Sequence, residues 1–303
     1  PGWERRSLFQ PNKYPAGEWV QTEVFVEDAN FTAADGTKLH GWYAGHEEPK
    51  GHALLLHGNG GNVTLLAPTI RILNRKHNLA VLALDYRGYG KSEGKPSEAG
   101  ILQDARAARK WLAEKNKIAE SDIILLGQSL GGGVAVDLAS KDGCRALVLA
   151  GTFTSIPDVA QHQFPYLPMK WLLATKMNSL EKIKNYRGPL LMSHGDADEV
   201  VPYEQGQALF AACPSETKQL ITNAGGKHNG PSRVGVIVDA ENFTSGAVGK
   251  IQVILRESYG ARIFRTREEP RRSAFHKRIH AVSVDSGIDA AHAVNRTRQQ
   301  VTT

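Results

Sequence analysis

Residues 123–135 read IILLGQSLGGGVA: four apolar residues, then a single serine among glycines, then a run of small residues. The apolar run bounded by a turn signal reads as a buried strand, and GGVAVDLASKDG, residues 132–143, as a helix closed by glycine. Ser129 then sits in a loose glycine turn or in one so tight that only glycine fits beside it. Its strand–turn–helix setting favours the tight turn, an elbow that lifts the hydroxyl above the sheet edge. Gly127 and Gly131 lack Cβ atoms, so strand and helix can approach closely. The first amides of the helix favour negative charge developing at the serine.

Outward from this stretch, short apolar runs alternate with amphipathic ones, the pattern of a mostly parallel sheet covered by helices. EVFVED and KLHGWYA flank Ala34-Asp35-Gly36 and read as an antiparallel hairpin leading in. HALLLHG is a strand running into the glycine-rich HGNGGN, with a helix over residues 64–76. LAVLALDY is the next strand. Ser97 caps a helix through residue 116, in which Ile101, Ala105, Ala108 and Leu112 share a face. CRALVLAG, PLLMSHG and KQLITNAG complete the strands, with YEQGQALFAAC as the helix between the last two.

A serine hydroxyl needs a base, itself oriented by a carboxylate. Past the serine, LLMSHGDADEVVP offers Asp196 and Asp198 after one strand, and LITNAGGKHNG offers His228 after the next. The chain order serine, acid, histidine is the one this architecture uses.

With LLHGNGGN, DYRGYGKSEG, GQSLGG, HGDADEVVP and GGKHN, residues from about 20 to 230 resemble the α/β-hydrolase superfamily, in particular its compact serine-esterase and dienelactone-hydrolase-like branch. The resemblance implies Ser129 as nucleophile, Asp198 as acid, the position four after the histidine of HGxxDxxVP, and His228 as base. Asp196 would brace the loop. It also implies an oxyanion hole from the backbone N–H groups of Leu130 and Asn59.

Residues 157–186 form a proline- and aromatic-rich insertion. Phe164, Tyr166, Leu167, Met169, Trp171 and Leu172 give it an apolar inner face, read either as packing on the sheet or as a short lid. Phe164, Tyr166, Leu167 and Trp171 are the expected substrate-pocket residues. His57 and His194 read as loop braces, Asp85, Arg87 and Ser92 as fixing the DYRGYGKSEG loop, and Cys144 and Cys213 as packed thiols. The sequons at Asn30, Asn62, Asn242 and Asn295 matter only in a secreted protein.

The resemblance ends after GGKHN. The expected division is a hydrolase domain over residues 1–230 and an atypical extension over 231–303, an incomplete module or partly disordered. Residues 234–239 read as a strand and 244–257 as a helix with Val248, Ile251 and Leu255 on one face. VIVDAENFTSGAVGKIQVIL and VSVDSGIDAAHAVN weakly resemble small PIN-like, YaiI-type proteins, which would make Asp239, Glu241, Asp285 and Asp289 candidate metal ligands. The alternatives are that the 244–257 helix replaces the terminal helix with which such hydrolases normally finish, the remainder being loose, or that a fusion or reading-frame junction gives a nonfunctional extension.

Composition excludes some classes. The net charge is +6, of which +5 lies in residues 231–303, so the main domain gives no sign of a nucleic-acid partner. No apolar run spans a bilayer, two cysteines make no disulfide framework, and the main domain shows no metal-ligand spacing. The chain begins with Pro1, so an upstream signal or anchor is an open possibility beside a cytoplasmic location. The reading is a serine hydrolase of small to medium carboxylic esters that needs no cofactor. Thioesterase or peptidase chemistry on the same residues, or a noncatalytic binding protein of this fold, are the alternatives.

Overall fold

The structure, a computed structural model, describes residues 2–22 and 24–229. The readings for residues 234–239 and 244–257, and Asp239, Glu241, Asp285 and Asp289, lie outside the described residues. So do two of the sequons, and the proposed boundary at 230.

Eight strands form one sheet in the order β1-β2-β4-β3-β5-β6-β7-β8. They are β1 (Glu27–Thr32), β2 (Lys38–Ala44), β3 (Gly51–Leu56), β4 (Leu79–Asp85), β5 (Ile123–Gln128), β6 (Ala146–Ala150), β7 (Leu190–Gly195) and β8 (Lys218–Asn223). β1, β2 and β4 pair antiparallel, and β4, β3 and β5 to β8 are parallel. The helices are α1 (Gly2–Leu8), α2 (Ala67–His77), α3 (Glu98–Asn116), α4 (Leu130–Asp142), α5 (Ile156–Gln163), α6 (Met169–Leu172), α7 (Ser179–Ile183) and α8 (Tyr203–Ala212).

The two-residue period of the central strands divides the core. Leu54, Leu56, Leu82 and Leu84 face one side with Ile101 and Ala105 of α3 and Val134 and Leu138 of α4. Ala53, Leu55, Val81 and Ala83 face the other, with Ile70 and Leu73 of α2. Burying each such Leu or Val contributes about 1.5–3 kcal/mol relative to exposure. Both faces are covered, so these strands read as continuous apolar runs rather than alternating ones.

The leading hairpin corrects the sequence reading. β1 is EDANFT, not EVFVED, and residues 24–26 precede it. The turn decides. Gly36 takes φ +86°, its N–H donates to Ala33 O, and Ala33 N–H donates to Thr37 O at 2.9 Å, pairing Thr32 with Lys38. Hydrogen-bonded register outweighed the apolar appearance of residues 24–26. In the helix expected over 64–76, the first turn is a tighter 3-10 turn, Val63–Leu66, capped by Asn62, before α2 begins. Asn62 is fully buried and donates to Asn12 O and Ala16 O, so that sequon is inaccessible in the folded chain.

Candidate active site

Ser129 joins β5 to α4 with φ +50° and ψ −114°, a conformation unfavourable for a residue with a Cβ. Its surroundings hold it there. Ser129 N–H donates to Ala150 O at 3.0 Å, and its carbonyl accepts from Thr152 Oγ1 at 3.0 Å and Gly132 N–H at 2.9 Å. The glycines are a steric necessity: a Cβ at Gly127 would lie 2.3 Å from Gly131 O, and one at Gly131 would lie 2.0 Å from Leu56 O. Ser129 therefore occupies the tight turn rather than the loose one.

Three loops at one end of the parallel strands bring Ser129, His228 and Asp198 together. His228 Nε2 lies 3.1 Å from Ser129 Oγ, and His228 Nδ1 lies 2.8 Å from Asp198 Oδ2. Asp198 Oδ1 accepts the N–H groups of Val200 and Val201 at 2.9 and 2.8 Å, which fixes the carboxylate plane. Burial acts to raise the Asp198 pKa. The donors around it outweigh that, His194 first, then His228 and the Val201 amide, and hold the carboxyl well below the usual carboxylate range. An ionised Asp198 selects the His228 tautomer with the proton on Nδ1, leaving the Nε2 lone pair toward the serine.

Asp196 serves a different role. Its Oδ1 accepts Gly225 N–H at 2.6 Å, tying the β7 loop to the loop that carries His228. His57 packs between the Tyr86 and Tyr89 rings, and its Nδ1–H donates to Gly58 O at 2.7 Å. His194 does more than brace a loop. Its Nε2–H donates to Val201 O at 2.9 Å and also lies 3.4 Å from Asp198 Oδ2. Asp85 accepts Val63 N–H and faces His40, Ser92 Oγ–H donates to Asp85 O, and Arg87 pairs with Asp104 and Asp35, so these residues hold the loop as expected. Cys213 is buried and Cys144 partly so; burial pushes the Cys144 thiol up to about 11.

Leu130 is the first residue of α4, so its N–H has no intrahelical acceptor. Gly58 passes over Ser129, and Asn59 follows on the wall of the same cleft. The Asn59 side chain is held on both its atoms: Nδ2–H donates to Leu8 O at 2.6 Å, while Oδ1 accepts Gln10 N–H at 3.2 Å and Tyr89 O–H at 2.9 Å. The N-terminal segment is thus part of the site, which the sequence reading missed. Leu8 and Phe9 line the cleft, yet SLFQPN carries no periodicity that marks them.

The cleft encloses about 870 Å³ and is walled by the glycine loop, the N-terminal segment and the insertion. Of the expected pocket residues, Phe164 and Leu167 line it. Tyr166 and Trp171 do not: they are 97% and 90% exposed. α6 has only four residues, and Met169 and Leu173, one turn apart, take its buried side, which places Trp171 opposite. No Asp, Glu, Lys or Arg lines the cleft among the described residues. Nor do the described residues contain a group of three or more His, Cys, Asp or Glu placed to hold a metal ion.

Residues 47–184 match the family model described as serine aminopeptidase, S33. An uncharacterized protein of Mycobacterium tuberculosis is 36% identical over 230 residues, covering 75% of this chain and 81% of that protein. The alpha/beta hydrolase domain-containing protein WAV2 of Arabidopsis thaliana is 34% identical over 219 residues, 66% of this chain and 70% of that one. Among solved structures, the Pyrococcus furiosus esterase Pf2001 superposes with a TM-score of 0.63 at 22% identity, covering 73% of this chain and 90% of that one.

Proposed function

The chain belongs to the α/β-hydrolase superfamily, and on that premise we propose that it is a serine hydrolase cleaving carboxylic esters of small to medium acyl groups through an acyl-enzyme. The observation that carries this reading is the unbroken succession Asp198–His228–Ser129, at 2.8 and 3.1 Å, opening onto the cleft.

In this reading Ser129 Oγ attacks the ester carbonyl while His228 Nε2 takes the hydroxyl proton. Asp198 holds the imidazole and stabilises its charge as imidazolium. The carbonyl oxygen becomes an oxyanion toward the N–H groups of Leu130 and Asn59; one such donor is worth about 3–4 kcal/mol. His228 then returns the proton to the departing alcohol. Water, deprotonated by the same histidine, hydrolyses the acyl-serine.

The cleft wall favours an ester over a peptide amino terminus. An aminopeptidase must hold a substrate ammonium, and desolvating that charge without a carboxylate is costly. The lining contains no carboxylate among the described residues, while Leu8, Phe9, Phe164, Leu167 and Met169 suit an uncharged acyl chain.

A fluorophosphonate probe and a chain-length series of p-nitrophenyl esters test the reading. The wild-type chain is expected to be labelled and to turn over esters, and Ser129→Ala and His228→Ala to do neither. Equal labelling of Ser129→Ala removes the proposed nucleophile. A wild type that is labelled but turns over no ester leaves the thioesterase or peptidase alternative, and one that is neither labelled nor active leaves the noncatalytic one.

A further inference from the structure

We propose that His194 is a positioning residue of the candidate site: its Nε2–H, shared between Val201 and Asp198, holds the Asp198 carboxylate and tempers the basicity which that carboxylate confers on His228. The consequence for catalysis rests on the hydrolase reading; the arrangement of the two imidazoles does not.

Both imidazoles converge on one oxygen. Asp198 Oδ2 lies 2.8 Å from His228 Nδ1 and 3.4 Å from His194 Nε2. His194 Nε2 is also 2.9 Å from Val201 O. A carbonyl only accepts, so the proton sits on Nε2 and is shared between this carbonyl and the carboxylate. Val201 in turn donates its own N–H to Asp198 Oδ1 at 2.8 Å. His194, Val201 and Asp198 thus close a ring of contacts that fixes both carboxylate oxygens. His194 belongs to β7 itself, and its side chain is fully buried, so the loop bearing Asp198 folds back onto a rigid support.

The other ring nitrogen argues for a function beyond packing. His194 Nδ1 is buried with no partner among the described residues. Gly206 of α8 closes over it: a Cβ there would fall 2.3 Å from Nδ1. A buried polar atom without a partner is destabilising, and an apolar side chain at this position would carry none. What an apolar side chain would not supply is the N–H on the far edge of the ring. That N–H draws negative charge from Asp198, so the carboxylate stabilises a proton on His228 less than it would alone. The other ionisable groups nearby stand outside these contacts. The Tyr203 ring meets His194 edge-on, centroids 5.8 Å apart, with its hydroxyl paired to Thr222. Asp196, Glu199, Glu204 and Lys227 are exposed, and Gly151, past the end of β6, has no side chain to offer.

The test is the pH profile of kcat/KM on a soluble p-nitrophenyl ester for the full chain and for His194→Phe, His194→Met and His194→Gln. Beside it, the His228 ring titration is followed by NMR, its signal assigned by its loss in His228→Ala. Phenylalanine and methionine lack the N–H, whereas the glutamine amide can restore a donor near the place of Nε2. Without the donor, the acid limb and the His228 midpoint are expected to move up by about half a pH unit. His194→Gln is expected to return both toward wild type. A brace alone predicts the opposite sign, since an Asp198 that drew away would stabilise the imidazolium less. A limb and midpoint that stay put or move down in the donorless variants overturn the proposal, as does an equal shift in His194→Gln. Failure of both donorless variants to fold makes the ring a structural one and also overturns it. A wild type inert toward both fluorophosphonate and esters sinks the hydrolase reading, while the NMR titration still decides whether His194 governs His228.

Discussion

Asn59 and Leu8 are joined across 51 positions of sequence by a hydrogen bond of 2.6 Å from Asn59 Nδ2–H to the Leu8 carbonyl. The N-terminal segment therefore holds the loop whose amide is proposed to receive the oxyanion. Asn59→Ala keeps that backbone N–H but removes three hydrogen bonds that position it. kcat is expected to fall about tenfold to a hundredfold, short of the 10²–10³ typical for losing a donor outright, with KM little changed. Steady-state kinetics on a p-nitrophenyl ester measures this. An unchanged kcat would mean the loop keeps its shape without the strap.

The elbow makes a steric prediction. A methyl at residue 131 meets the Leu56 carbonyl oxygen, a backbone atom that cannot swing aside. Gly131→Ala should cost about 1–3 kcal/mol of stability and depress fluorophosphonate labelling of Ser129 more than the stability loss explains. Denaturant midpoints and labelling rates on the same preparation separate the two effects.

Asp198→Asn should lower kcat by about 10³–10⁴, since the amide no longer fixes the imidazole tautomer. The depressed carboxyl also links to stability, with a definite sign. Its folded pKa lies below the ordinary 3.8, so its contribution is fully present above that value and is lost as pH falls through the folded value. The stability gap between wild type and Asp198→Asn should thus be constant from neutral pH down to about pH 5 and close on further acidification. Urea unfolding across that range checks it; a gap that widens in acid would contradict the assignment.

Arg87 reaches Asp104, whose side chain is fully buried, at 2.7 Å, and Asp35 at 2.7 Å. Burial raises the Asp104 pKa in spite of the guanidinium, so this carboxylate is sensitive to losing its partner. Arg87→Met should cost about 3–5 kcal/mol, the usual penalty for stranding a buried charge. Thermal unfolding measures it, and Arg87→Met/Asp104→Leu should recover most of the loss. A single variant as stable as wild type would show that solvent reaches Asp104.

Several parts of this molecule are written locally. Strand identity follows from short apolar runs, and the α3 start from Ser97, whose side chain accepts Gly100 N–H. Ser129, Asp198 and His228 each follow a strand that those runs disclose. Other parts mislead or are silent. VFV at 24–26 looks like a strand, but the turn at Gly36 sets the register elsewhere. Trp171 and Tyr166 look like pocket aromatics, although the four-residue α6 can bury only one side. His194 reads as a brace, and its proximity to Asp198 emerges only when β7 and its loop are folded.

By itself the sequence determined the alternation of the central strands and helices, the serine turn, and the places of Asp198 and His228 on later loops, because period, glycine placement and turn residues act over a few neighbouring positions. Only the tertiary structure decided that Leu8 and Gln10 hold Asn59, that Glu4 reaches Thr175 across 171 positions, and which aromatics face the cleft. Those contacts depend on how finished elements fit in three dimensions. No local pattern in the chain records that fit.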